Sequence, residues 1–172
     1  MSMTDGHIYF DIDLFAKGRR PAINTFLSVT RVGRQTQTNL RRTILRELSS
    51  FLTLRERIEN FAHFGAENSS TIKNTLLTGD QVIAFFDQTS EVVLEINLQI
   101  FLFALIWYGL WRNKSIEQLK QDMTNIMIAY ETKPDFRKAV SQLAEKEESL
   151  NSLLTAIGKS ATKILQDAGV KL

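Results

Sequence analysis

Cysteine is absent from the 172 residues. That excludes disulfides and thiolate metal ligands. Histidine is almost absent: His7 and His63 are the only two, too few for a histidine-rich metal centre. Pro21 and Pro134 are the only prolines, and glycine occurs eight times. A chain so poor in turn formers is expected to have few turns and long helices. The opening "MSMTDGHIYF" has no basic region followed by an apolar run, so no secretory signal is read. Long apolar runs are also scarce. The strongest, Leu98 to Trp111, contains Gln99 and falls short of the roughly 20 apolar residues a membrane span needs; a buried core helix is expected there. Charge of one sign is missing too. The net charge of +2 marks neither a nucleic-acid specialist nor an acidic tail.

What is present is enough for one core. Apolar residues make up 44% of the chain, and the length suits a single domain with a small appendage. The first 34 residues differ from the rest. "HIYFDIDLF" alternates like a short strand, "KGRRPAIN" reads as a turn, and "LSVTRVG" is β-branched again. This is about a strand and a half, and isolated strand pairs are marginal in water. The segment therefore reads as if the chain begins partway through a domain.

From about Gln37 the period becomes helical. Ile44, Leu45, Leu48, Phe51, Leu52, Ile58, Phe61 and Ala62 recur at steps of three and four, with Arg55, Arg57 and Glu59 on the other face. Gly65 reads as a stop, "ENSS" as the cap of a second helix, and Gly79 as its break or bend. "DQVIAFFDQ" reads as a short amphipathic piece. Ser90 is expected to cap the apolar helix, which runs to about Arg112. "SIEQ", Ser115 to Gln118, is a capping box. Pro134 suits the first turn of a last helix. That helix carries Phe136, Val140, Leu143, Leu150, Leu154, Ile157, Ala161, Ile164 and Ala168 at alternating steps of four and three, with Glu147 interrupting. Packing into the chain's own bundle is expected rather than a free coiled coil. The expected fold class is mainly α: residues 1–36 extended or irregular, residues 37–172 a helical bundle.

The chemistry is sparse. "IGKSA", Ile157 to Ala161, contains the Gly-Lys-Ser of a phosphate loop. However, Leu153 stands where that motif needs its first glycine, and the stretch lies in a helical repeat. It reads as a surface step on a helix. The carboxylate pairs Asp11 and Asp13, and Glu147 and Glu148, have no histidine or glycine context and read as solvated. No metal site is expected. From Lys17 to Arg46 the chain has no acidic residue, but it carries Lys17, Arg19, Arg20, Arg31, Arg34, Arg41, Arg42 and Arg46. A solvated face and an anion-binding surface are both open readings. The aromatic residues lie mostly in the helical part, which argues against a stacking platform for single strands.

The first third of the chain carries a resemblance. "TDGHI", "DLF", "GRRPAIN" and "SVTRVG" follow in order, at matching spacing, the pattern of the alpha subunit of F-type ATP synthase: Thr-Asp-Gly-x-Ile, Asp-Leu-Phe, Gly-x-Arg-Pro-Ala-Ile-Asn and Ser-Val-Ser-Arg-Val-Gly. "RERIENFAHFG" resembles that family's Tyr-Arg-Glu…Phe-Ala-Gln-Phe helix. The beta subunit is similar to this region only loosely. The resemblance is strong from Thr4 to about Gly65. Beyond that it persists as helix order and anchors such as Gly79 and Gln88. Thr30 replaces the family's serine, and Arg34 adds charge where a small residue is usual.

The resemblance implies the end of a nucleotide-binding domain (1–36) followed by a C-terminal helical bundle (37–172). The chain would then be a truncated piece or a short natural relative, without the family's phosphate loop. It would not be an enzyme on its own, but part of a proton- or sodium-translocating complex. Arg31 is implied as an arginine finger acting in trans on the nucleotide of a neighbouring beta subunit. Arg20, Pro21 and Gln88 are implied to border the adenine of the alpha subunit's own non-catalytic nucleotide. The second glutamine of that pocket aligns with Ser90. Residues 66–79 are implied to face the gamma (rotor) subunit. ATP or ADP with magnesium belongs to the full complex, not to this chain alone. The implied setting is peripheral, on the cytoplasmic face of the membrane, with no membrane insertion and no nucleic-acid partner; the isolated chain should be soluble. Two other classes remain open on the residues alone: a stand-alone helical interaction module, and an anion- or nucleic-acid-binding protein using the basic N-terminal stretch.

Overall fold

The structure, a computed structural model, describes residues 4–31, 33, 35–62, 70–88 and 92–170, with the side chains at 60–62 and 167 left aside. It is mainly helical. Two two-residue strands, β1 (Gly6–His7) and β2 (Val29–Thr30), flank a short helix α1 (Ile12–Ala16). Six longer helices follow: α2 (Asn39–Ala62), α3 (Ser70–Phe86), α4 (Ile96–Tyr108), α5 (Ile116–Thr132), α6 (Pro134–Lys146) and α7 (Leu150–Asp167). The strands pair antiparallel, Gly6 opposite Thr30 and His7 opposite Val29. A single bridge joins Phe10 to Ile23.

The alternation of "HIYFDIDLF" does not make one strand. Asp11 interrupts it. Its backbone is extended, and its side chain accepts from the amides of Asp13 and Leu14. An aspartate that satisfies first-turn amides starts a helix, so Ile12 to Ala16 turn helical. The other Asp11 oxygen accepts from the Asn24 side chain at 2.8 Å. Asn24 in turn accepts from the amides of Phe26 and Leu27. The two halves of the N-terminal segment are thus tied through one Asp–Asn pair.

Helix α4 is the centre of the bundle. Leu98 and Ile100 to Ile106 are all buried. A helix that is apolar all round has no solvent face to offer and must be surrounded. Here α3, α5, α6 and α7 all pack on it. Val82, Leu119, Ile126, Val140, Leu153, Ile157 and Leu165 are fully buried in the same core. Each such side chain contributes about 1.5–3 kcal/mol when taken out of water. α2 docks through Phe51, whose ring meets Trp107 edge-on at 5.0 Å.

Four boundaries differ from the sequence reading. Gly79 does not break a helix; α3 runs through it, and Asp80 to Phe86 of "DQVIAFFDQ" form its second half. The apolar helix starts at Ile96 after Glu95 rather than at Ser90, and it stops at Tyr108 rather than Arg112. It stops there because Gly109 takes a left-handed conformation, φ +87°, and its amide and that of Leu110 close on the carbonyls of Ile106 and Leu105. That geometry suits glycine. The last repeat is two helices, since residues 147–149 turn extended and Ser149 caps α7 by a reciprocal pair with Ser152. The break resets the helical phase, so Leu153 and Leu165 are the fully buried residues while Leu154 and Ile164 are only half-buried. The capping box at Ser115 and Gln118 and the first-turn position of Pro134 are as read. Gly65, Ser90, Arg34 and the start of "ENSS" lie outside the described residues.

Candidate functional site

β2 delivers Arg31. Its amide donates to the Asp5 carbonyl at 2.9 Å, extending the strand pairing by one step. The turn after it is held by Thr30, whose hydroxyl accepts from the Gly33 amide at 3.1 Å. A Cβ on Gly33 would stand 2.9 Å from that hydroxyl, so the turn needs both the hydroxyl and the bare glycine. Serine or threonine supplies that hydroxyl equally, which makes Thr30 a mild departure. The Arg31 side chain is exposed. Among the described residues its guanidinium has no ion-pair partner. Arg31 therefore sits on a fixed turn without a packing task.

Arg20, Pro21 and Gln88 come together. The Gln88 amide donates to the Arg20 carbonyl at 2.8 Å. Arg20 and Pro21 are joined by a cis peptide bond. The Arg20 guanidinium lies 3.6 Å over the Phe15 ring, and its Nη1 donates to the carbonyls of Phe15 and Arg19, each at 2.9 Å. A planar cation laid on a ring and bonded along its edge is held in place. All three residues line a cleft of about 880 Å³ with Phe85, Met123 and Met127. Arg31 is not among its lining residues, so the two candidate sites are separate places in the fold.

The basic run disperses. Arg42 bonds the Asn39 side chain at 2.8 Å, and Arg46 meets Glu47 at 3.4 Å. Arg20 folds onto Phe15, Arg31 stands on its turn, and Arg34 lies outside the described residues. Gly158 of the "IGKSA" stretch is within α7. A Cβ there would approach the Tyr108 hydroxyl at 3.1 Å, so that glycine serves helix packing.

Two polar centres were not singled out from the sequence. Arg55, read as a solvent-face residue, is mostly buried. Its Nη atoms bond Glu59 at 2.9 Å and, across to α3, Asp80 at 2.8 Å. Its shaft lies where a Cβ of Gly79 would be. The signal was Gly79 itself, because a glycine inside a helical pattern marks a close approach. The second centre is Glu95, which accepts from the Tyr130 hydroxyl at 2.9 Å and pairs with Arg137 at 2.8 Å. The negative charge of Glu95 raises the Arg137 guanidinium above its ordinary value. Among the described residues no helix is long and apolar enough to cross a membrane.

No protein-family profile matches the chain. Among curated proteins it is 30% identical, over 157 residues, to ATP synthase subunit alpha of Carsonella ruddii (strain PV). The match covers 90% of this chain and 32% of that protein. It necessarily extends past Gly65 into the bundle, beyond the motifs that carry the strong resemblance. The chain is thus a sequence relative of the ATP synthase alpha subunit, spanning about a third of the length of the relative it matches.

Proposed function

We propose that this chain acts as the C-terminal region of an alpha subunit in an F-type ATP synthase. Residues 1–36 would be the end of its nucleotide-binding domain, and residues 37–172 its helical bundle. In this reading the chain catalyses nothing alone. It supplies Arg31 to the nucleotide on a neighbouring beta subunit and presents residues 66–79 to the gamma subunit. Arg20, Pro21 and Gln88 border the adenine of a nucleotide held, with magnesium, by the full complex. The complex would sit peripherally at the cytoplasmic face of the membrane, coupled to protons or sodium.

One observation carries the reading: Arg31 stands on a turn built by Thr30 and Gly33, with its guanidinium engaged by no described carboxylate. A planar, permanently charged fork suits phosphate oxygens bidentately. Such a finger is worth about 10³ to 10⁵ in rate, or roughly 4 to 7 kcal/mol of barrier, whereas an exposed ion pair contributes about 0 to 1 kcal/mol. The test is Arg31→Ala in the assembled complex. Multi-site turnover should fall by about three orders of magnitude or more, while nucleotide binding on the beta subunit weakens much less. Normal turnover would remove Arg31 from catalysis.

A further inference from the structure

Among the described residues, Arg19 is the one charged residue lining a cleft of about 500 Å³ between residues 19–30, Gly33 and helices α2 and α3. The other described walls are neutral, and the apolar ones include Ile23, Phe26, Leu45, Leu48, Leu52 and Phe86. Phe26 and Leu45, at its edges, are 56% and 48% exposed, so apolar surface there stays in water. The Arg19 guanidinium is half-buried, and it takes part in none of the ion pairs among the described residues. A second cleft on its other side holds Glu56, Glu59, Asp80 and Asp87. Three of these are already engaged: Arg55 holds Glu59 and Asp80, and Lys120 holds Asp87. Burial, reinforced by the neighbouring Arg55 charge, pushes Arg19 below its ordinary value. A half-desolvated cation gains from an anion brought to it. Arg20, one residue on, faces the larger cleft instead.

We propose that the Arg19 cleft binds an organic monoanion with an extended apolar body, of the class of a medium-chain carboxylate. The carboxylate pairs with Arg19, and the chain lies between Ile23, Phe26, Leu48 and Leu52. Among the described residues, the complementarity is one positive group, no negative one, and apolar walls of ligand-sized volume. A neutral alcohol of the same length can use only the walls, and a cationic amphiphile meets repulsion.

Calorimetric titration of the 172-residue protein with decanoate, decanol and decyltrimethylammonium tests this. Decanoate should bind saturably at one site, and decanol at least about tenfold more weakly, the factor of one charge-assisted hydrogen bond. Arg19→Gln should erase the difference between decanoate and decanol. Lys159→Gln, on the exposed side of α7, should leave it unchanged. Leu45→Asp places a carboxylate at a half-exposed edge, so it should weaken decanoate binding without unfolding the chain. Equal binding of the three amphiphiles, or an unchanged decanoate affinity in Arg19→Gln, would overturn the proposal. So would a shift of the untreated protein to a dimer that decanoate does not dissociate, because a second copy would then be the occupant.

Discussion

The N-terminal segment and the helical bundle place their apolar residues in opposite ways. Between Ile8 and Val29, eight large apolar side chains are at least 47% exposed, with Ile12 at 84%. Between Leu98 and Ile106, only Gln99 escapes full burial. Leu98–Ile106 is the richer stretch, with seven large apolar residues in nine against ten in the 22 of Ile8–Val29, but composition does not decide whether they are covered. Regular structure does. The segment has four strand residues and one short helix, and its order comes from polar side chains that satisfy backbone amides: Asp11, Asn24, Ser28 and Thr30. The bundle takes its order from side chains packed on α4. One region is held by geometry of turns, the other by removal of surface from water, and they should fail differently.

The largest effect belongs to the bundle. Ile106→Asp places an unpaired carboxylate at a site 1% exposed. It should cost more than about 4 kcal/mol and unfold the chain, seen as loss of the cooperative thermal transition. A variant that melts like the parent would mean α4 is not the core. Gly79→Val comes next. Its side chain would collide with the shaft of Arg55, so urea unfolding should show a loss of about 1 to 3 kcal/mol. Adding Arg55→Ala should recover most of that loss; if it does not, the cost lies in the α3 backbone.

The segment should respond to pH before the bundle does. The Asp11 carboxyl lies below its ordinary value, chiefly through the Asn24 hydrogen bond and then the Leu14 amide. Its contribution is therefore complete above the unfolded aspartate value, about 3.9, and fades as pH falls through the lower folded value. Amide exchange at Asp13 and Leu14 should accelerate in that acid window while α4 stays protected. Asn24→Ala should move the onset to higher pH. The smallest effect is that of Arg31→Ala on the isolated chain. An exposed residue without a described side-chain partner should change stability by less than about 0.5 kcal/mol. A larger drop in melting temperature would make Arg31 a structural residue of the turn.

The fold class was legible because helical periodicity and the unbroken apolar run of α4 are local signals. The capping box at Ser115 was legible for the same reason. The limits of helices were not. Glu95 rather than Ser90 starts α4 because the entry is fixed by Tyr130 and Arg137, residues far along the chain. Gly79 continues a helix because Arg55, from another helix, fills the space its missing side chain leaves. α1 was hidden because Asp11 capping outweighs a β-like alternation. Within the candidate sites, the resemblance named Arg31 and the Arg20–Pro21–Gln88 group, and the fold brings the latter three to one cleft. The stacking of Arg20 on Phe15, and the partnerless state of Arg19 among the described residues, are tertiary facts that no spacing encodes.

The run from Leu98 to Ile106 has a consequence before the protein is folded at all. On the ribosome, or on refolding from denaturant, it is the stretch with the greatest tendency to self-associate. Its covering helices α5, α6 and α7 all come later in the chain, so the run emerges before most of its cover exists. Exposed apolar segments of this kind drive aggregation at micromolar concentration. Yield should therefore depend on slow synthesis, low temperature or holdase chaperones. Truncation within α6 or α7 should send the product to inclusion bodies while leaving α4 itself intact.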